Sequence, residues 1–405
     1  MPLSDDKNER VNQRVTALSQ AFSPSAPIDQ RALFSGRIGQ SVEVLNAINQ
    51  KGQHAILFGE RGVGKTSLAR VLSRVSVGGR PILCATINCE PSMTFSSLWH
   101  QLLRDITLNT TTQGVGFAAQ EQQSGKPLNQ LLSESVTPDD IRRLFAGIGK
   151  TLLVIDELDR LQDPTVTRLL ADTIKTLSDH AVDTTLLLVG VADNVETLIA
   201  EHQSVERALV QIRMPRMSKP ELWEIIDKGL AAASMTTDTS ARDKIATLSQ
   251  GLPHYTHLLA LNAGQRAAIN DQAVVGLEDV RVAIDTALSR AQQSIISAHH
   301  KATSSPRDNL YPQVLLACAL AQQDSLGYFA SVDVRGPLTK IMGRPYDIPA
   351  FSQHLNAFCE ADRGHVLQRI GTPRRYRFRF VNPLMQPFVV MDGIKKGLIT
   401  DASVQ

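Results

Sequence analysis

From about Phe34 to Met217, short and continuous apolar runs alternate with helical patterns: HAILF (54–58), PILCATINC (81–89), TLLVIDE (151–157), TTLLLVGV (184–191) and LVQIRM (209–214). Runs that are apolar at nearly every position suit strands buried on both faces, so they predict an α/β layout with a parallel sheet covered by helices. Between Leu108 and Ser135 the period fails, and TTTQGVG and QEQQSGKP read as an insertion or loop. Thr137-Pro-Asp-Asp then restarts a helix with a cap, a proline in the first turn and acids near the positive end of the dipole. From Ser218 to about His299 the pattern is wholly helical. SKPELWEIIDKGL, SARDKIATLSQ, PHYTHLLALNAGQRAAI and LEDVRVAIDTALSRAQQ are each amphipathic, which predicts a small all-α bundle. After a polar joint, HHKATSSPRDN, the segments YPQVLLACALAQQ, GPLTKIM and PAFSQHLNAFCEA predict three helices. HVLQRI-GTP-RRYRFRF predicts a closing β-hairpin, in which Arg375, Arg377 and Arg379 alternate with Tyr376, Phe378 and Phe380. Residues 1–30 form a polar, helix-like arm ending in the linker SPSAPID. The expected division is an arm (1–30), an α/β domain (31–217), a helical domain (218–299), a third domain (310–392) and a tail (393–405).

A chain of 405 residues suits two or three domains, each with its own core. No run approaches the roughly 18 uncharged apolar residues of a membrane span, so no membrane partner is expected. The start, MPLSDDKNERVNQR, is polar and carries acids early, unlike a signal or transit peptide; a cytoplasmic location follows as the expectation. Cys84, Cys89, Cys318 and Cys359 lie among apolar residues and lack the spacing of a zinc site, so they read as reduced and structural. Net charge is +2 but unevenly spread: residues 301–405 hold 13 Lys and Arg against 8 Asp and Glu, so the C-terminal end is the basic one.

The chemistry concentrates in two strings. Gly59-Glu60-Arg61-Gly62-Val63-Gly64-Lys65-Thr66 matches GxxxxGK[ST], follows the strand HAILF and precedes the helix TSLARVLSRV, with Ser67 just beyond. Glycines let backbone amides turn onto phosphates, and the helix N-terminus adds partial positive charge. Lys65 is expected on the β and γ phosphates of ATP, and the Thr66 hydroxyl on Mg²⁺. The partner is Leu152-Leu-Val-Ile-Asp156-Glu157, a buried strand ending in two acids. Asp156 would hold Mg²⁺ while Glu157 polarises the water that attacks the γ-phosphate. Asp159 and Arg160 read as surface or helix-pairing residues.

With these motifs the sequence resembles the AAA+ superfamily of P-loop NTPases, and within it the origin-recognition-like ATPases and the related STAND signalling NTPases, over residues from about 34 to 390. Phe34-Ser-Gly-Arg37 and the following helix resemble the segment that cups adenine in that family, which implies a nucleotide contact for Arg37. TTLLLVGVADN resembles the fourth strand, whose end carries a polar sensor for the attacking water; Asp193 and Asn194 are both candidates. HQSVERALVQIRMPRMSKPEL resembles the segment that holds the arginine finger, and Arg207 is the choice, with Arg213 and Arg216 weaker. Such a finger acts on a neighbouring subunit's γ-phosphate and so implies a nucleotide-dependent homo-oligomer. The lid departs from the common AAA+ pattern: Gly251-Leu-Pro253-His254 is closer to STAND proteins, in which lid and winged helix close over bound ADP. A switch therefore fits better than a motor, and His254 is either a nucleotide contact or a structural residue at a helix start.

Residues 310–390 resemble the winged helix-turn-helix that these families carry in the same place. Arg374, Arg375, Arg377 and Arg379 suit phosphate contacts from a wing to duplex DNA. The third helix offers only Gln353, His354 and Asn356 and no Lys or Arg, so DNA binding would be weakly specific and salt-dependent. The alternative is a winged helix that docks a protein partner. The sequence thus points to an ATP-binding and ATP-hydrolysing switch that controls DNA or protein binding; the rival is a regulatory or scaffold protein with little turnover.

Overall fold

A computed structural model describes the chain except for residues 1–2, 25–35, 75, 78–79, 113–121, 192–204, 306–308, 374 and 401–405. Two compact units emerge. One holds residues 37–59 and 65–214, and the other residues 1–36, 60–64 and 215–405, so the GxxxxGK[ST] loop is itself shared between them.

The first unit is built on a five-stranded parallel sheet of β1 (His54–Phe58), β2 (Leu83–Asn88), β3 (Thr151–Asp156), β4 (Thr184–Gly190) and β5 (Leu209–Arg213). Its order is β2-β3-β4-β1-β5, with every neighbouring pair parallel. The three inner strands are buried along almost their whole length and the two edge strands are not. That is why HAILF, TLLVID and TTLLLVG carry unbroken apolar runs. Each such side chain contributes about 1.5–3 kcal/mol on burial. Helices Ile38–Asn49, Lys65–Leu72, Phe95–Leu102, Pro138–Phe145 and Pro164–Asp179 belong to this unit. The helix at 138 starts as its sequence predicts: Thr137 caps it, and the Thr137 amide donates to the Asp140 carboxylate at 2.9 Å. The aperiodic segment after Leu108 differs from expectation. Thr107–Thr112 and Gln122–Pro127 pair as an antiparallel ribbon, for which the run of β-branched threonines is suited despite its polarity.

In the second unit, helices Lys219–Ala231, Thr239–Leu248, Pro253–Ile269 and Leu277–Ser289 form the expected bundle. The N-terminal arm is a helix, Leu3–Ala21, that delivers Leu18 and Phe22 into the bundle's core beside Gly264 and Gly229; a Cβ on Gly229 would lie only 2.2 Å from the Phe22 ring. The polar joint is shorter than its composition suggests, because a further helix, Gln293–Thr303, runs into it. Tyr311–Leu320, Ser331–Met342 and Ile348–Ala357 follow, then the hairpin Leu367–Ile370 with Arg377–Phe380, which the short strand Phe329–Ala330 extends to three strands. This is the element order of a winged helix-turn-helix. Phe378 and Phe380 are buried while Arg377 is exposed, as their alternation requires. One helix, Met385–Lys395, is not foreshadowed by any amphipathic period, because it is buried on nearly every side. Among the described residues, no helix is long and apolar enough to cross a membrane.

Candidate functional site

Register places the site. Ile155, Leu188 and Ile56 lie in one row across β3, β4 and β1. Asp156 therefore leaves the sheet one step further on, at the same edge from which β1 enters its loop. At that edge Gly59 adopts φ +155°, and a Cβ there would meet the Met214 carbonyl oxygen at 2.4 Å. Only glycine lets the β1 exit pass so close to the backbone that follows β5. The helix Lys65–Leu72 starts immediately after the loop, so its first amides, which have no partner within the helix, and its positive dipole end lie at residue 65. The Lys65 ammonium donates to the Gly59 carbonyl at 2.9 Å.

The Thr66 hydroxyl donates to the Asp156 carboxylate. Asp156 is only 3 % exposed and accepts a second hydrogen bond from the Glu157 amide at 2.7 Å. Burial raises its pKa above the usual carboxylate range; the Thr66 and Glu157 hydrogen bonds oppose that rise, neighbouring Glu157 adds to it, and Lys65 opposes it. A hydroxyl and a carboxylate held together, next to the GxxxxGK[ST] loop, are hard oxygen donors of the kind Mg²⁺ takes alongside water and phosphate oxygens. The residues present fit that ion. Cys89 does not add a thiolate: burial first, and the nearby carboxylates of Asp156 and Glu157 next, push its thiol up to about 12. Among the described residues no cluster of three or more His, Cys, Asp and Glu side chains is placed to hold a metal by itself.

Glu157 takes a left-handed backbone conformation, φ +57°, at the strand's end. Its carboxylate is half exposed and pairs with Arg160 at 2.9 Å. The three-residue spacing of this pair is a signal the sequence does carry, although Arg160 reads there as no more than a surface or helix-pairing residue. Arg37 also has positive φ, at +61°, and is 2 % exposed at the start of Ile38–Asn49. Arg207 is exposed on the single turn Val205–Ala208 that precedes β5. Asp193, Asn194 and Arg374 lie outside the described residues.

In the second unit, Glu60, Arg61, Gly62, Val63 and Gly64 lie with the bundle. Arg61 is exposed and Val63 fully buried, and Gly62 and Gly64 have φ of +84° and +96°. Gly251, at φ +76°, lies against the backbone of Met217, and Pro253 opens the helix whose second residue is His254. The ring of His254 shares a hydrogen bond of 2.7 Å between Nδ1 and the Pro24 carbonyl, and burial lowers its pKa. In the hairpin, Arg377 pairs with Asp324, and Arg377 and Arg379 both lie over the Tyr328 ring, at 5.3 and 4.7 Å from its centroid. Arg375 is exposed in the connecting turn.

A family model described as "AAA domain" matches residues 48–199, which include the loop and both strand-end acids. No curated protein matches the chain. Among solved structures, the Walker-type ATPase PABY2304 of Pyrococcus abyssi is 16 % identical with a TM-score of 0.50, over 90 % of this chain and 98 % of that one. Cdc6p from Pyrobaculum aerophilum is 16 % identical with a TM-score of 0.47, over 94 % and 98 %. The ORC2 protein of Aeropyrum pernix is 14 % identical with a TM-score of 0.46, over 91 % and 98 %. The matched segment, the loop's setting and the sheet order agree: residues 48–199 are similar to a AAA domain, and the protein has the fold of the AAA+ P-loop ATPases.

Proposed function

We propose that the protein binds ATP with Mg²⁺ at Gly59–Thr66, hydrolyses it to ADP and phosphate, and uses its nucleotide state to control a partner bound by residues 310–392. The observation that carries this reading is the Thr66–Asp156 hydrogen bond, which joins the loop's last residue to the acid-bearing strand. The loop amides and Lys65 bind and orient the β and γ phosphates; Thr66 and Asp156 hold the metal, which supplies positive charge to the phosphate oxygens. Glu157 orients the attacking water and takes its proton. Arg207, exposed ahead of β5, suits a neighbouring subunit's γ-phosphate.

In this reading 218–299 is a lid and 310–392 a winged helix, whose arginines meet duplex DNA. A protein partner is the second reading. It is favoured by the engagement of Arg377 and Arg379 with Asp324 and Tyr328, which leaves less of the wing's charge for phosphates. The test of the enzyme is Glu157→Gln. Phosphate release should fall by about 10²–10⁴-fold, the usual worth of a general base, with ATP affinity unchanged. Turnover equal to the parent's would refute hydrolysis through Glu157.

A further inference from the structure

Glu60, the second residue of the phosphate loop, belongs to the helical unit. Its carboxylate is 8 % exposed and is gripped in two-pronged fashion by Arg216, with Nε donating to Oε2 at 2.6 Å and Nη2 to Oε1 at 3.2 Å. A second edge of the same guanidinium faces elsewhere: Nη1 donates to the Gln250 carbonyl at 3.1 Å and to the Gln386 side-chain oxygen at 2.6 Å. Gln386, 3 % exposed on the helix Met385–Lys395, has its amide nitrogen fixed by the Ala319 carbonyl at 2.7 Å and by the Gln250 side chain at 3.3 Å. Gln323 donates to its oxygen at 3.2 Å. The chain also makes room for Glu60. Gly327, at φ +80°, leaves a space in which a Cβ would lie 1.8 Å from the Glu60 Oε1. Gly62 of the loop approaches Leu384 closely enough that a Cβ would sit 3.2 Å from its methyl, and the Leu384 carbonyl accepts from the Tyr255 hydroxyl at 2.8 Å.

A planar guanidinium bonded on two edges transmits position, because neither partner can shift without breaking a charge-assisted bond. We propose that Arg216 and Gln386 are positioning residues for the phosphate loop. The relay Gln386–Arg216–Glu60 makes the loop's grip on a nucleoside diphosphate depend on the placement of the helix Met385–Lys395. This deepens the proposed function and rests on it for the ligand, but the relay itself is built from side chains of one unit. Linkage then runs both ways. Whatever draws the helix Met385–Lys395 away from Arg216 loosens residues 60–64 and speeds ADP release, and ADP bound at the loop resists that movement by the same factor.

The experiment uses the full chain. Gln386→Leu keeps the volume and removes the polar link. Dissociation of a fluorescent ADP analogue is followed by stopped flow, and amide exchange over residues 60–64 is measured in nucleotide-free protein. The relay predicts that the variant releases the analogue about tenfold faster, the order expected for one charge-assisted bond, and exchanges faster at 60–64. Arg216→Lys retains the charge without the fork; it should release the analogue faster than the parent, and it is read in the same way if Gln386→Leu fails to fold. Rates within twofold of the parent in both measurements, in a folded variant, would overturn the relay. Should the parent itself bind no nucleotide, the proposed function fails and amide exchange alone decides the relay: faster exchange at 60–64 supports it and unchanged exchange overturns it.

Discussion

Asp156→Asn separates what the fold wants from what the metal wants. The side chain is 3 % exposed, and burial holds its pKa above the usual range, so the structure favours a neutral group at this position. Asparagine keeps an oxygen that can accept from Thr66 and from the Glu157 amide. Removing the buried charge should stabilise the nucleotide-free protein by about 0.5–2 kcal/mol, the range common for a single stabilising substitution. For a unit of 150–250 residues, each 1 kcal/mol corresponds to roughly 2–4 °C in Tm. The sign follows from linkage. The folded form binds the proton more tightly than the unfolded one, so this group's contribution is favourable at low pH and declines as pH rises through its raised folded pKa. The advantage of asparagine should therefore be present at pH 7 and shrink on acidification. Binding moves the other way, because losing an anionic ligand should cost about 1.5–3 kcal/mol, or roughly 10- to 150-fold, of the Mg²⁺-dependent part of ATP affinity. Thermal melts and calorimetric titrations with ATP, each with and without Mg²⁺, measure both arms. A variant less stable than the parent at pH 7, with Mg²⁺ enhancing ATP binding as before, would refute the reasoning.

Two further outcomes follow from the same physics. His54 and His257 are buried, and burial lowers both pKa values to about 4; His54 Nδ1 accepts the Leu186 amide at 3.0 Å, which a protonated ring could not do. With folded values below the unfolded 6.5, the unfolded chain binds more protons between about pH 4 and 6.5, so stability should fall on acidification by up to about 1.4 kcal/mol per pH unit for each histidine; urea melts at pH 7 and 5 that coincide would contradict this. If duplex DNA is the partner, replacing Arg375, Arg377 and Arg379 with Ala should lower the slope of log affinity against log salt by about 1 for each phosphate that an arginine no longer neutralises. A fluorescence anisotropy titration that shows an unchanged slope would exclude the wing as the DNA-binding surface.

The loop and the Asp156–Glu157 strand were legible because their chemistry is local: a strand, a glycine bend and a helix start fall within a few residues of one another. The inner strands were legible because burial on both faces leaves no polar position to interrupt the run. Thr107–Thr112 escaped because its β-branched residues are polar, and Gln293–Thr303 because only Ile295 and Ala302 are buried, too few to mark a face. Met385–Lys395 escaped for the opposite reason, being buried nearly all round. The hydrogen bonds of Arg216 to Glu60 and Gln386 span 156 and 170 residues, and no spacing rule reaches that far. Sequence alone makes Arg216 a weaker candidate for the arginine finger; its guanidinium is instead bonded to Glu60, Gln250 and Gln386 of its own chain.

The most direct measurement is a calorimetric titration of the full chain with ATP in the presence of Mg²⁺, set beside Lys65→Ala. The account predicts saturable uptake by the parent and its loss in the variant, in which no ammonium faces the β and γ phosphates. Uptake of equal strength by both proteins, or none by the parent, would contradict it.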